Sequence, residues 1–188
     1  MSRPPRLFQP GLSAHVYHRG HNCATIFHEA ADYQYFLELL RWAAIENELA
    51  VHSFAVMRNH HHLIATPDSA TAISDTMKQL HGGYASYYNR KHNRLGTIWC
   101  GRYQAKPLTD EQYFWTCFTY VERNPVEAGI VDAPEDYPWS SYRIHTCGDD
   151  GKWLTVHPLY TALGTSATER QAAYRAIFGR CQTGSDWV

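Results

Sequence analysis

Apolar and polar positions along the chain switch between two periods, and the switches mark out its elements. Residues 13–18 (SAHVYH) alternate with period two, which puts His15 and Tyr17 on one side of a short strand and Val16 on the other. Tyr33, Phe36, Leu37, Leu40, Ala44 and Ile45 then recur at helical spacing, with Asp32 placed to cap the helix and Asn47 near its end. Residues 51–57 (VHSFAVM) and 61–66 (HHLIAT) predict two strands joined by a tight Arg58-Asn59 connection, the second stopped by Pro67. A long helical pattern covers 69–89, with Ile73, Met77, Leu80, Tyr84 and Tyr87 or Tyr88 on its apolar side. Gly82-Gly83 weakens that helix by about 1 kcal/mol per glycine relative to alanine. The Gly-rich aromatic segment LGTIWCGRYQAKPL can supply a fourth strand.

Strand, helix, strand, strand, helix, strand is the split βαβ order, so the expected fold is α+β and ferredoxin-like with an antiparallel sheet. A further helix starts near Asp110 and is expected to end about Asn124, because Pro125 disfavours helix in the residue before it. One more helix is expected around 168–178, and no internal repeat or low-complexity segment is visible. At 188 residues the chain reads as one domain, residues 13–146, with an arm over 1–12 and a tail over 147–188.

Hydrophobic residues make up 44 % and charged residues 19 %, ordinary values for a globular protein. No apolar run approaches the roughly 20 residues that span a bilayer, and MSRPPRLFQPG lacks the apolar core of a secretory signal. The five cysteines are widely separated and odd in number, which argues against a disulfide framework or a zinc knuckle and points to a reducing cytoplasm. A net charge of −1 gives no hint of nucleic acid, but its distribution does. Between Thr76 and Thr109 there is no acid, while Lys78, Arg90, Lys91, Arg94, Arg102 and Lys106 all fall there. The first 28 residues also lack acids and carry Arg3, Arg6 and Arg19. A neutral protein can present one positive face to phosphates in this way, or merely a solvated basic helix face.

The local chemistry is densest at Asn59-His60-His61-His62-Leu63. Alternate side chains of a strand share a face, so His60 and His62 point one way and His61 the other. Two imidazoles side by side can grip a metal ion; with 12 histidines in the chain, a cluster of hydrogen-bonded core histidines is the competing explanation. Tyr120 and Asn124 stand at i and i+4 of a helix and therefore on one face, just before Pro125. A phenol is a poor nucleophile at its free pKa of about 10 but works beside a metal or a base. Most tyrosines are packing residues, and this chain has 13.

From residue 14 to about 145 the sequence resembles the REP-associated tyrosine transposases, a bacterial branch of the single-tyrosine HUH transposases. The matching blocks are HVYHRGHNCATIF, VMRNHHHLIATP, YASYYNRKHNRLGTIWCGRYQAKPL, YVERNPVEAGIV and YPWSSYRIH, in that order. The resemblance implies that His60 and His62 are metal ligands, Tyr120 the nucleophile and Asn124 the polar group completing the metal site. It also implies hairpin DNA contact by the segment holding Arg90, Lys91, Arg94, Trp99, Arg102, Tyr103 and Lys106. Arg19, in the loop after the first strand, is a weaker candidate for holding phosphate. Two positions depart from the family pattern: His61 replaces an aliphatic residue between the histidines, and Arg58 stands where proline is usual.

The implied activity is cutting and rejoining of single-stranded or hairpin DNA, from repetitive extragenic palindromes, through a 5′-phosphotyrosine and a free 3′-OH. The implied cofactor is one Mg²⁺ or Mn²⁺ ion; no nucleotide cofactor is needed, because the phosphotyrosine keeps the phosphodiester energy. Mixed nitrogen and oxygen ligation suits Mn²⁺ well and Mg²⁺ acceptably. The enzyme is expected to act in the cytoplasm at the nucleoid, as a monomer rather than a dimer, without a membrane partner. Two other classes compete: a non-catalytic nucleic-acid-binding module on the same scaffold, and a metal-dependent phosphoesterase that uses water instead of tyrosine.

Overall fold

A computed structural model describes residues 6–180. The first five residues of the expected arm, Arg3 among them, and the last eight of the expected tail, with Cys181, lie outside the described residues. The chain runs β1 (Ala14–Arg19), α1 (Ala30–Glu46), β2 (Leu49–Met57), β3 (His60–Pro67), α2 (Ala72–Lys91), β4 (Gln104–Pro107), α3 (Glu111–Glu127), α4 (Tyr142–Cys147), α5 (Pro158–Thr161) and α6 (Ala167–Arg180). The four strands form one sheet in the order β2-β3-β1-β4, every neighbouring pair antiparallel. That is the ferredoxin-like arrangement expected from the hydrophobic pattern. Among the described residues no helix is long and apolar enough to cross a membrane.

The pleat divides the sheet into two working faces. Ala14, Val16, Val51, Phe54, Val56, Leu63 and Ala65 join a core with α1 and α2, to which those helices contribute Phe36, Leu40, Ile73, Met77, Leu80 and Tyr84. Gly83 lies where the two helices approach: a Cβ there would meet Leu39 Cδ1 at 3.2 Å. The opposite face carries Ala55 and Ile64, covered by Phe114, Trp115, Cys117, Phe118 and Val121 of α3 with Tyr142, Tyr160, Tyr174 and Phe178 of the C-terminal helices. Residues after 147 thus continue this second core.

Three element boundaries differ from expectation. Asp32 does not cap α1; Glu29 holds that position, and Asp32 sits three residues inside, accepting the backbone N–H of His28 at 2.8 Å and of Glu29 at 3.2 Å. Its other oxygen takes the Tyr87 hydroxyl at 2.9 Å and the Lys91 ammonium, tying the start of α1 to the end of α2. Burial pushes the Asp32 carboxyl up, but Lys91 and these donors outweigh it and the net shift is downward. Second, α3 does not stop at Asn124: Pro125 lies inside it, and the last turn closes through the Ala128 N–H to the Asn124 carbonyl at 2.9 Å. Pro125 is buried, and packing of that turn overrides the local bias against helix before proline. Third, the fourth strand is only four residues long. Gly96 and Gly101 adopt positive φ (93° and 65°), so the chain between α2 and β4 turns twice before it can pair.

Candidate active site

The register of β1 against β3 and β4 decides which side chains share the α3 face. Arg19 pairs with His60, Tyr17 with His62 and His15 with Ile64, while across β1 Gln104 pairs with Tyr17 and Lys106 with His15. Directly paired residues point to the same face. His60, His62, His15, Tyr17, Arg19, Gln104 and Lys106 therefore form one polar floor beside the apolar patch of Ala55 and Ile64. His61 points the other way, into the first core, where its Nε2 meets His81 Nε2 at 2.8 Å and its ring packs against Phe36. The alternation read from the HHH run is the one observed.

Helix α3 brings its tyrosine over this floor. Asp110 caps the helix by accepting the Tyr113 N–H at 2.8 Å, and the apolar side of α3 is pressed to β2 and β3, which fixes its rotation. The Tyr120 ring then stands edge-on to His62 (centroids 5.5 Å apart, 82°) and to His15 (6.0 Å, 77°). His60 and His62 lie 5.0 Å apart at 88°. Asn124, one turn after Tyr120, donates its Nδ2 to the Tyr120 carbonyl at 3.1 Å. Its side chain is within hydrogen-bonding reach of the His60 ring and of the Tyr120 hydroxyl. The four residues singled out in the sequence thus converge, although the histidines and the Tyr120–Asn124 pair come from two elements far apart in the chain.

Burial sets the electrostatics. It lowers His60 below the ordinary imidazole value, opposed by the Asn124 hydrogen bond and reinforced by the Arg19 charge. It holds His62 well below that value, helped by neighbouring His15, His60 and His61. Both rings are neutral at pH 7 and keep a lone pair to offer. Burial raises the Tyr120 phenol, which Asn124 partly offsets and Glu127 reinforces. Tyr120 is therefore protonated at rest. Among the described residues no three His, Cys, Asp or Glu side chains converge in metal-holding geometry. The donor set that does converge is two neutral imidazole nitrogens and one amide oxygen, which suits a small divalent cation and leaves positions open for other oxygens.

The candidate DNA residues separate into two groups. Arg90 and Arg94 are exposed at the end of α2, with Arg94 over the Tyr88 ring at 5.8 Å, and Arg19 and Lys106 are exposed on the polar floor. Arg102 is half-buried. Lys91 is instead engaged by Glu29 (2.7 Å) and Asp32. Trp99 and Tyr103 are core residues, only 5 % and 7 % exposed. Trp99 donates Nε1 to the His81 carbonyl at 3.0 Å and stacks on His18, while Tyr103 bonds Ser74 at 2.9 Å beneath Arg6. Neither ring face is open to a base in this conformation; of the segment expected to contact hairpin DNA, these two side chains pack inward and hold the loop. Sequence reasoning misses His15, Tyr17 and Gln104 as members of the site. The signal for His15 and Tyr17 is the period-two pattern of β1, which becomes informative only once β1 is known to lie between β3 and β4.

The model of the family described as "Transposase IS200 like" matches residues 9–124, from just before β1 through Asn124. The chain belongs to the IS200-like transposase family. Among solved structures, this transposase is similar to a REP-associated tyrosine transposase bound to a REP hairpin. The identity is 18 %, the match covers 77 % of this chain and 85 % of that one, and the TM-score is 0.60, which establishes a common fold. A putative transposase from Deinococcus radiodurans R1 also matches, with 19 % identity, 69 % and 95 % coverage and a TM-score of 0.42. No curated protein matches the sequence.

Proposed function

We propose that this transposase cuts and rejoins single-stranded DNA through Tyr120, with the scissile phosphate held over the imidazoles of His60 and His62. The observation that carries this is the placement of Tyr120 and Asn124 on the sheet face that bears those imidazoles, at 5.5 Å between the Tyr120 and His62 rings. His60, His62 and Asn124 would hold one divalent cation, Mn²⁺ or Mg²⁺, whose chemistry is Lewis-acid polarisation of a phosphate oxygen. The Tyr120 oxygen attacks phosphorus in line; the new Tyr–O–P bond forms as the P–O3′ bond breaks. The phenol gives its proton to solvent and the departing 3′ oxygen takes one up, so no water is consumed and no nucleotide cofactor is required. A second 3′-OH attacking the phosphotyrosine reverses the step and joins strands. Arg19 and Lys106 flank the imidazoles and would bind flanking phosphates, and Arg90, Arg94 and Arg102 would contact the backbone of the hairpin stem.

All four central residues come from one chain, which supports action as a monomer, with Tyr120 serving the histidines of its own subunit. The solved transposase with the same fold was bound to a REP hairpin, which supports hairpin DNA as the substrate. The test is incubation with 3′-labelled single-stranded hairpins from the host's own repetitive palindromes, with Mn²⁺ or with EDTA. A labelled species of protein plus oligonucleotide on a denaturing gel, absent in EDTA and absent with Tyr120→Phe, is expected. Oligonucleotide cleaved to the same yield by the Tyr120→Phe variant without a protein adduct would refute the assignment and leave a water-using phosphoesterase.

A further inference from the structure

His15 has no role assigned by the family resemblance, yet it is the side chain in most direct contact with His62. Its Nε2 lies 2.9 Å from His62 Nδ1, the ring planes are inclined by only 22° with centroids 5.1 Å apart, and both are buried, at 2 % and 5 % exposure. The pair is set by the sheet: β1 and β3 are antiparallel, and His15 lies one pair along from the Tyr17–His62 partners, on the same face. Both rings are buried, and the hydrogen bond they share needs a lone pair on one nitrogen and a hydrogen on the other. A neutral imidazole donates from one nitrogen and accepts at the other, so the single hydrogen between the two rings has two arrangements. If His15 Nε2 carries it, His62 must carry its own proton on Nε2 and has no lone pair left for a cation there. If His62 Nδ1 carries it, His62 Nε2 is bare.

We propose that His15 is the positioning residue of the metal site: by accepting the His62 Nδ1–H, it selects the tautomer that leaves His62 Nε2 free to ligate, and it fixes the plane of that ring. This rests on the metal assignment made under the proposed function and deepens it. His60 has a corresponding partner, since its Nδ1 lies 2.7 Å from Asn59 Oδ1. Both candidate ligands are therefore tethered through Nδ1, leaving both Nε2 atoms for the cation. The arrangement has a cost. With His15 accepting at Nε2 its proton sits on Nδ1, which is buried and has no hydrogen-bond partner among the described residues. That cost is offset when a cation takes the His62 Nε2 lone pair, so this is the arrangement of the metal-bound protein.

The test reads metal affinity without DNA or catalysis, by Mn²⁺ titration of the full chain with electron paramagnetic resonance of the free ion. His15→Phe keeps a buried ring but offers no acceptor; it should weaken Mn²⁺ binding about 10–100-fold. His15→Gln places an amide oxygen where Nε2 was and should restore wild-type affinity. Equal Mn²⁺ affinity in wild type and His15→Phe overturns the inference and leaves the proposed function standing. Equal weakening by Phe and Gln also overturns it, because packing and not the acceptor would then be responsible. Absence of Mn²⁺ binding by the wild-type protein overturns it together with the metal assignment on which it rests.

Discussion

Replacing Glu122 by alanine removes the acid at the centre of the second core, two residues from Tyr120 but on another side of α3. Glu122 is fully buried and accepts four hydrogen bonds from groups that α3 does not itself carry. Ser53 of β2 bonds it at 3.2 Å, His145 Nδ1 of α4 at 2.6 Å, Tyr174 of α6 at 2.7 Å, and Ser141, just before α4, completes the set. In the alanine variant Ser53 and Ser141 can still bond each other, since their hydroxyls are 3.0 Å apart. His145 and Tyr174 are left with buried donors and nothing to accept them. Each orphaned donor costs about 1–3 kcal/mol, and breaking a buried hydrogen-bond network of this size costs about 3–5 kcal/mol in all. For a domain of this size that lowers Tm by about 6–20 °C. Glu122→Gln keeps the volume and the acceptor at Oε1, and its amide can donate to the Tyr174 hydroxyl, so its destabilisation should be only about 1–2 kcal/mol. Urea and thermal unfolding followed by circular dichroism measure both. An alanine variant whose Tm stays within about 2 °C of wild type would refute the reasoning, because the cluster would then contribute nothing to holding α3, β2 and α6 together.

Other outcomes follow from the same geometry. Neutralising Arg90 and Arg94 together should weaken hairpin binding and reduce the slope of log affinity against log salt by about 0.9 for each stem phosphate no longer neutralised; an unchanged slope in fluorescence anisotropy would remove these residues from the interface. His60→Ala combined with His62→Ala should abolish cation-dependent cleavage while hairpin binding in EDTA persists, and cleavage retained by that variant in gel assays would contradict the ligand assignment. Stability should also depend on acid: His15 and His52 resist protonation in the fold until about pH 4, whereas unfolded imidazoles take up protons near 6.5. The unfolded state binds more protons between those values, so stability is complete above 6.5 and falls as pH drops toward 4, by on the order of 3 kcal/mol per buried ring. Urea midpoints that do not move between about pH 7 and about pH 4.5 would show that these rings are not buried neutral.

Much of this fold is legible because period-two and helical patterns alternate cleanly. The face assignment of His60, His61 and His62 needs only the pleat of a strand, and that of Tyr120 and Asn124 only the helical repeat. What local rules could not supply is tertiary in origin. Pro125 lies inside α3 because its buried turn packs, and no preference of the preceding residue could reveal that. Trp99, Tyr103 and Lys91 sit in a stretch whose charge and aromatic content suggest a DNA surface; two of them are core and the third closes a cluster with Asp32 and Glu29. Composition does not distinguish a ring buried under a loop from one offered to solvent. His15 and Tyr17 fall on one side of their strand by alternation alone, but that side becomes the candidate active face only through the pairing of β1 with β3.

A phenol and two imidazoles must meet at one phosphate, and peptide mapping of the trapped product tests that most directly. After reaction with a hairpin oligonucleotide and Mn²⁺, digestion with protease and nuclease should leave a nucleotide mass on the single peptide that contains Tyr120. A nucleotide on any other residue, or a cleaved oligonucleotide with no protein adduct at any time point, would contradict it.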